Sequence, residues 1–185
     1  MGKLHWQGAL DGLCGLYSVI NATEYLCSSN GVKLKTEDTQ KLFRALCDLL
    51  SEEGRLQDVL VDGMRFRNLG RLIDTASSYL EEHKSCALTR KTAFAQEPKS
   101  LSEFWNKIAQ HIEKNNEGSV ILLIGGKYNH WTCVKKISDK QIFLYDSADL
   151  SHFRRKNCTI GAKRKGRVNI LYPTQSYLLS FENKK

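Results

Sequence analysis

The apolar residues of this chain change their period once, near Ser119, and that change limits the folds open to it. Upstream they recur every three or four residues, the spacing of helices with one face turned inward. Downstream, β-branched and aromatic residues gather in short runs cut by Gly, Pro and polar turns, which is the pattern of strands. Helices first and strands after predict an α+β domain with an antiparallel sheet, not a series of βαβ units. At 185 residues, a single domain over 1–185 can bury a full core.

The first expected helix runs from about Cys14 to Cys27. Its apolar positions cover most of the circumference, so it should be a buried central helix. Thr36 followed by Glu37 and Asp38 marks a second helix start, with Leu42, Phe43, Leu46, Leu49 and Leu50 as its stripe. A third helix is expected from about Phe66 to Glu82. Ser100 with Glu103 forms a capping-box pattern that opens a fourth, carrying Phe104, Trp105, Ile108 and Ile112. Ser119–Ile124 reads as a strand, and Gly125-Gly126 ends it. Val168–Leu171 and Ser176–Phe181 read as two more strands, separated by Tyr172-Pro173-Thr174. The stretch 151–166 reads as an excursion loop.

Cys14 is the candidate reactive residue. It sits in Asp11-Gly12-Leu13-Cys14-Gly15-Leu16, where a turn-forming run leads straight into an apolar helix. The first N–H groups of a helix lack intrahelical partners and carry a positive field. A thiol placed there is biased toward the thiolate, its nucleophilic form.

A histidine base is available far downstream. Tyr128-Asn129-His130-Trp131-Thr132-Cys133-Val134 and Gln141-Ile142-Phe143-Leu144-Tyr145-Asp146 flank the polar Ser138-Asp139-Lys140, so they read as a β-hairpin. If those three residues form the loop, Ile137 faces Gln141, Thr132 faces Asp146, and His130 is diagonal to Asp146. Diagonal neighbours are roughly 7–8 Å apart at the backbone, within reach of a His–Asp contact. A one-residue error in register would put the two on opposite faces. Asp149 is then the alternative orienting carboxylate.

The chain has 41% hydrophobic and 26% charged residues. No segment approaches the roughly 18 apolar residues of a membrane span, and no apolar signal segment opens the chain, so no membrane association is expected. The six cysteines have no Cys-x-x-Cys or His/Cys zinc spacing. Cys27, Cys47 and Cys133 read as small buried hydrophobes, and a reducing compartment is expected. No metal and no organic cofactor is expected. The net charge of +8 is concentrated in Arg154-Arg155-Lys156 and Lys163-Arg164-Lys165-Gly166-Arg167. That stretch reads as a solvated loop. An acidic partner and nucleic acid are its sharper readings, and the lack of interleaved aromatics disfavours nucleic acid.

Cys14 opening a buried helix, His130 starting a strand and Asp146 ending the next resembles the papain-like cysteine peptidases. The Asp11-x-x-Cys14-Gly15-Leu16 run and the His-to-Asp spacing of 16 most resemble the bacterial double-glycine peptidases, which process bacteriocin leaders, and related interbacterial toxin domains. The resemblance covers residues from about 5 to 147. It implies a papain-like fold, with a nucleophile helix packed on an antiparallel sheet. It assigns the nucleophile to Cys14, the base to His130 and the orienting carboxylate to Asp146. The family's oxyanion-hole glutamine maps to Gln7, one residue further from the cysteine than is usual there. The backbone N–H of Cys14 would be the second oxyanion donor.

The resemblance implies cleavage of a protein or peptide substrate after small residues, Gly-Gly among them. It also implies an effector or toxin role, with a cognate immunity protein as partner. Such a protein would be cytoplasmic, or secreted and active in the cytoplasm of a target cell. The same triad also serves deamidation, transglutamination and ubiquitin-like deconjugation. A third reading is a non-enzymatic module that binds through the basic segment.

Overall fold

Helix α1 (Cys14–Ser29) is buried on nearly every side. The computed structural model, which describes residues 2–8, 11–114 and 118–184, lays it against the middle of a sheet and flanks it with two amphipathic helices. These are α2 (Thr36–Glu52) and α4 (Phe66–Lys84). Leu42, Leu46 and Leu50 of α2, with Leu69, Leu72, Ile73, Ala76 and Leu80 of α4, turn inward to meet Leu16, Val19, Ile20 and Leu26. Between them lies a seven-residue helix, α3 (Leu56–Asp62). At seven residues it is too short for a period to stand out, and the sequence did not reveal it.

Among the described residues the sheet has seven strands. They are β1 (Cys86–Thr92), β2 (Ser119–Gly126), β3 (His130–Ile137), β4 (Gln141–Tyr145), β5 (His152–Arg154), β6 (Cys158–Ile160) and β7 (Asn169–Asn183). Their order is β1-β7-β2-β3-β4-β5, all antiparallel, with β6 added parallel to β7. The α+β expectation therefore holds in outline.

Several details differ from expectation. Strand β1 was not foreseen; it begins apolar and ends in Thr89-Arg90-Lys91-Thr92 at a sheet edge, where polar side chains face water. The expected excursion loop contains β5, one turn of 3₁₀ helix at Arg155–Asn157, and β6. The two expected C-terminal strands are one long strand, β7. Its pairing with β2 slips by three residues opposite Leu123. Tyr172, Pro173, Thr174 and Gln175 occupy that irregularity, which is where a proline without an N–H can sit inside a sheet.

The fifth helix, α5 (Leu101–Lys114), covers the other face of the sheet. Ser100 Oγ accepts the Glu103 N–H at 3.1 Å, and the Glu103 carboxylate accepts the Lys99 N–H at 2.8 Å. This is the expected cap, with the return bond one residue earlier than a standard capping box. The sheet is thus covered on both faces. Ile121, Trp131 and Cys133 join the core under α1, and Val120, Leu122 and Val134 join the core under α5. That explains why Ser119–Ile124 reads as an unbroken apolar run instead of an alternating one.

Phe104, fully buried, fills the second core. Phe104→Ala should lower the unfolding free energy by about 3–5 kcal/mol, measured by chemical denaturation. A loss below about 1 kcal/mol would mean that α5 does not pack as described.

Candidate active site

The loop before α1 is shaped by short-range bonds. Asp11 Oδ1 accepts the Leu13 N–H at 3.0 Å, an Asx-type turn. The Gly12 N–H donates to the Leu60 carbonyl at 2.8 Å. A side chain at Gly12 could not fit, because its Cβ would lie 2.6 Å from the Val59 carbonyl oxygen and 2.9 Å from the Gly63 nitrogen. Gly15 likewise packs against Met64, whose carbonyl accepts the Trp131 indole N–H at 2.8 Å. The two glycines let the chain press against α3 and enter the helix at Cys14. Among the described residues no side chain caps α1, so its first N–H groups remain available to a ligand. Cys14 itself is 8% exposed.

His130 and Asp146 meet as the hairpin argument requires. His130 Nε2 lies 2.8 Å from Asp146 Oδ2. The other carboxylate oxygen accepts the Ala148 N–H at 2.8 Å and the Leu150 N–H at 3.3 Å. The pair is buried. The route to this contact is not the expected one, however. At the turn, Ile137 faces Ile142 instead of Gln141, one residue out of the expected register. A β-bulge at Lys135 shifts the pairing back, so that Cys133 faces Tyr145 as expected. Extending that register puts Thr132 opposite Asp146. The Lys135 carbonyl freed by the bulge accepts the Tyr25 hydroxyl from α1 at 2.8 Å, and the Val134 carbonyl accepts the Ser119 hydroxyl at 2.9 Å.

Charge follows from this geometry. Burial alone would push the His130 imidazole down. The hydrogen bond to Asp146, a further interaction with the Cys14 thiol, and the negative charges of both groups overturn that effect and bring it up to about 9. Burial alone would raise Asp146, but the His130 hydrogen bond and charge hold it below the usual carboxylate range. Since Nε2 faces Asp146, the nitrogen left for Cys14 is Nδ1.

Gln7 is held beside this pair by an N-terminal strap. Its backbone N–H donates to the Ser147 carbonyl at 3.0 Å. Asn21 of α1 clamps the backbone of His5, accepting its N–H at 2.9 Å and donating to its carbonyl at 3.1 Å. The Tyr145 hydroxyl donates to the Gly2 carbonyl. The Gln7 side-chain amide donates to the Asp11 carbonyl, in the loop that leads to Cys14, which leaves one N–H of that amide for another acceptor. Its Oε1 is buried without a partner. The extra residue between Gln7 and Cys14 falls in a stretch where Ala9 and Leu10 lie outside the described residues.

The structure thus gathers Cys14, His130 and Asp146, and fixes Gln7 to the same loop. It does not bring in Asp149, which is exposed with φ 62°. Trp131 is a packing residue, stacked near Phe66. His5 is paired as well. Its ring lies 3.4 Å from Glu24, a buried carboxylate that also accepts the Thr39 hydroxyl at 2.6 Å. Tyr25 and Asn21 were missed as supports of the site. Each puts a polar group on a buried helix, as Ser18, Thr23 and Glu24 also do, so nothing in the sequence singled them out. All six cysteines are free. Burial pushes up the thiols of Cys27, Cys47 and Cys86, that of Cys133 to about 12 and that of Cys158 to about 11. Among the described residues no group of His, Cys, Asp and Glu could hold a metal, and no helix is long and apolar enough to cross a membrane. Comparison with known proteins found no matching family model, no matching curated protein and no matching solved structure.

A His whose folded pKa is raised stabilises the fold fully below its unfolded value, and loses that contribution as pH rises through its folded value. For His130 the window runs from about 6.5 to about 9. Wild type should therefore exceed His130→Gln in unfolding free energy at pH 6 by on the order of 3 kcal/mol. The gap should close by pH 10, as read from denaturant melts across the range. A gap independent of pH would contradict the charged assignment.

Proposed function

We propose that this chain is a cysteine peptidase of the papain-like type, with Cys14 as nucleophile, His130 as acid and base, and Asp146 as the group that orients the imidazole. The reading rests chiefly on one observation, the 2.8 Å contact between His130 Nε2 and Asp146 Oδ2, with Cys14 interacting with the same ring.

The chemistry follows in order. With His130 up to about 9, the imidazole is protonated at neutral pH, and an adjacent cation favours the thiolate of Cys14. The thiolate attacks a peptide carbonyl. The N–H groups at the uncapped start of α1, with the remaining N–H of the Gln7 amide, would stabilise the oxyanion. One such donor is typically worth about 3–4 kcal/mol in the transition state. The imidazolium then gives its proton to the leaving amine. Now neutral, His130 takes a proton from water, the hydroxide attacks the thioester, and the acid product leaves with Cys14 restored. Throughout, Asp146 keeps the ring oriented and offsets its positive charge. Cleavage after small residues such as Gly-Gly, and use as an interbacterial effector with a cognate inhibitor, rest on the sequence resemblance. An amine in place of water at the last step would give a transferase, and a glutamine side chain as acyl donor a deamidase.

Mass spectrometry of new protein N-termini in bacterial cells should find cuts with the wild type that are absent, or at least about 100-fold weaker, with Cys14→Ala. The residue before each cut should be small. Cys14-dependent glutamine deamidation without new termini would move the assignment to an amidase. No Cys14-dependent change, with both proteins folded and abundant, would contradict a hydrolytic role.

A further inference from the structure

At the far end of the β3–β4 hairpin the structure has a second concave site. The β3–β4 turn, the 155–157 helical turn and the start of α5 enclose a cleft of about 710 Å³. His130 opens β3 and the cleft lies at its other end, so the two sites are separated by roughly 20–25 Å. Six cations line the cleft, namely Lys140, Arg154, Arg155, Lys156, Arg164 and Arg167, and its lining holds a single carboxylate, that of Asp139.

Two of the six are held by hydrogen bonds to the protein. The Arg155 guanidinium lies 5.2 Å over the Trp105 ring and donates to the Ser102 hydroxyl at 2.9 Å and the Asp139 carbonyl at 3.4 Å. Its backbone N–H is bound to the Lys140 carbonyl at 2.8 Å. Arg167 donates to the Cys158 carbonyl at 2.6 Å. Neither group has its charge neutralised by these bonds, since every acceptor is neutral. Among the described residues none of the six cations pairs with a carboxylate. Elsewhere Lys41, Arg71, Lys84 and Arg90 each do. Six cations with one carboxylate around a single cavity concentrate positive potential there and favour external negative charge. The α5 N-terminus, whose field is positive, adds to the same cavity.

Shape selects the class of anion. The cavity is small-molecule sized, and a duplex or a protein surface would meet only its rim. A single phosphate would leave most of the cations uncompensated. Trp105 is 2% exposed and covered by Arg155, so the cleft offers no bare aromatic face for the base stacking that single-stranded nucleic acid uses. Guanidinium groups match phosphate oxygens in pairs. We propose that this cleft binds a small oligophosphate, with Arg155 and Arg167 as preset contacts and Arg154, Lys156, Arg164 and Lys140 closing around the ligand.

Isothermal titration of the whole protein with inorganic tripolyphosphate tests this at physiological salt, with sulfate at matched ionic strength as the reference. Saturable one-to-one binding is expected, at least tenfold tighter than sulfate. The surface variant Arg154→Ala/Lys156→Ala/Arg164→Ala should weaken it at least tenfold, while Lys41→Ala leaves it unchanged. Parallel titrations with a nucleoside triphosphate and with a cyclic polyol carrying several phosphates would identify the source, and tighter binding of either through the same residues supports the proposal. Tripolyphosphate binding no tighter than sulfate, or equal in the triple variant, would overturn it. So would tight binding of a single-stranded oligonucleotide through these residues without binding of tripolyphosphate, which would assign the surface to nucleic acid.

Discussion

The contact between His130 and Asp146 depends on a count of residues in one hairpin. The turn after β3 runs one residue out of the simplest register, and the extra residue at Lys135 restores it. With the turn alone, Asp146 would stand across from Cys133 and face away from His130. The bulge exposes the Lys135 carbonyl, which would be costly to leave unpaired in the interior. The Tyr25 hydroxyl satisfies it, and Tyr25 belongs to the helix that Cys14 opens. The helix that carries the thiol therefore helps to hold the register that carries the base. Asn21 of the same helix fixes the strap that carries Gln7. Four candidate residues from three parts of the chain refer back to α1.

Much of this was legible in the sequence because it depends on period and on local turns. The stripes of α2, α4 and α5 gave their positions closely, and the all-round apolar pattern of α1 gave its burial. Cys14, His130 and Asp146 were named from a turn, a helix start and a hairpin. A simple three-residue turn leads to the same His130–Asp146 contact, although the observed turn differs from it by one residue. Two one-residue departures cancel, and no local pattern reports a bulge whose freed carbonyl is satisfied by a tyrosine 110 residues away. Short elements were lost for a related reason. Strands β5 and β6 have three residues each, too few to show alternation, and they form because longer neighbours offer them an edge. Strand β7 was divided in two because Pro173 ordinarily ends a strand. Here the three-residue slip against β2 absorbs it.

The electrostatics are organised at two ends of one hairpin. At one end a buried carboxylate holds an imidazole in its charged form, beside a thiol at a helix start. The other end gathers guanidinium and ammonium groups that no carboxylate neutralises. The excess positive charge of the chain is therefore not spread evenly over its surface. Lys84 and Arg90 are tied to Asp38 and Asp74 in pairs that hold helices and β1 in place, while the cations of 154–167 are left unpaired. The segment read as a solvated loop is built into the sheet by β5 and β6, which is why its charges can be held in a fixed arrangement.

In the proposed mechanism His130 makes Cys14 a working nucleophile, and thiol labelling reads that step. Native protein would be treated with limiting iodoacetamide at neutral pH and mapped by peptide mass spectrometry. A single adduct at Cys14 is expected, with the other five cysteines unmodified and the rate at Cys14 at least tenfold lower in His130→Ala. Adducts spread over several cysteines, or a Cys14 rate indifferent to His130, would contradict it.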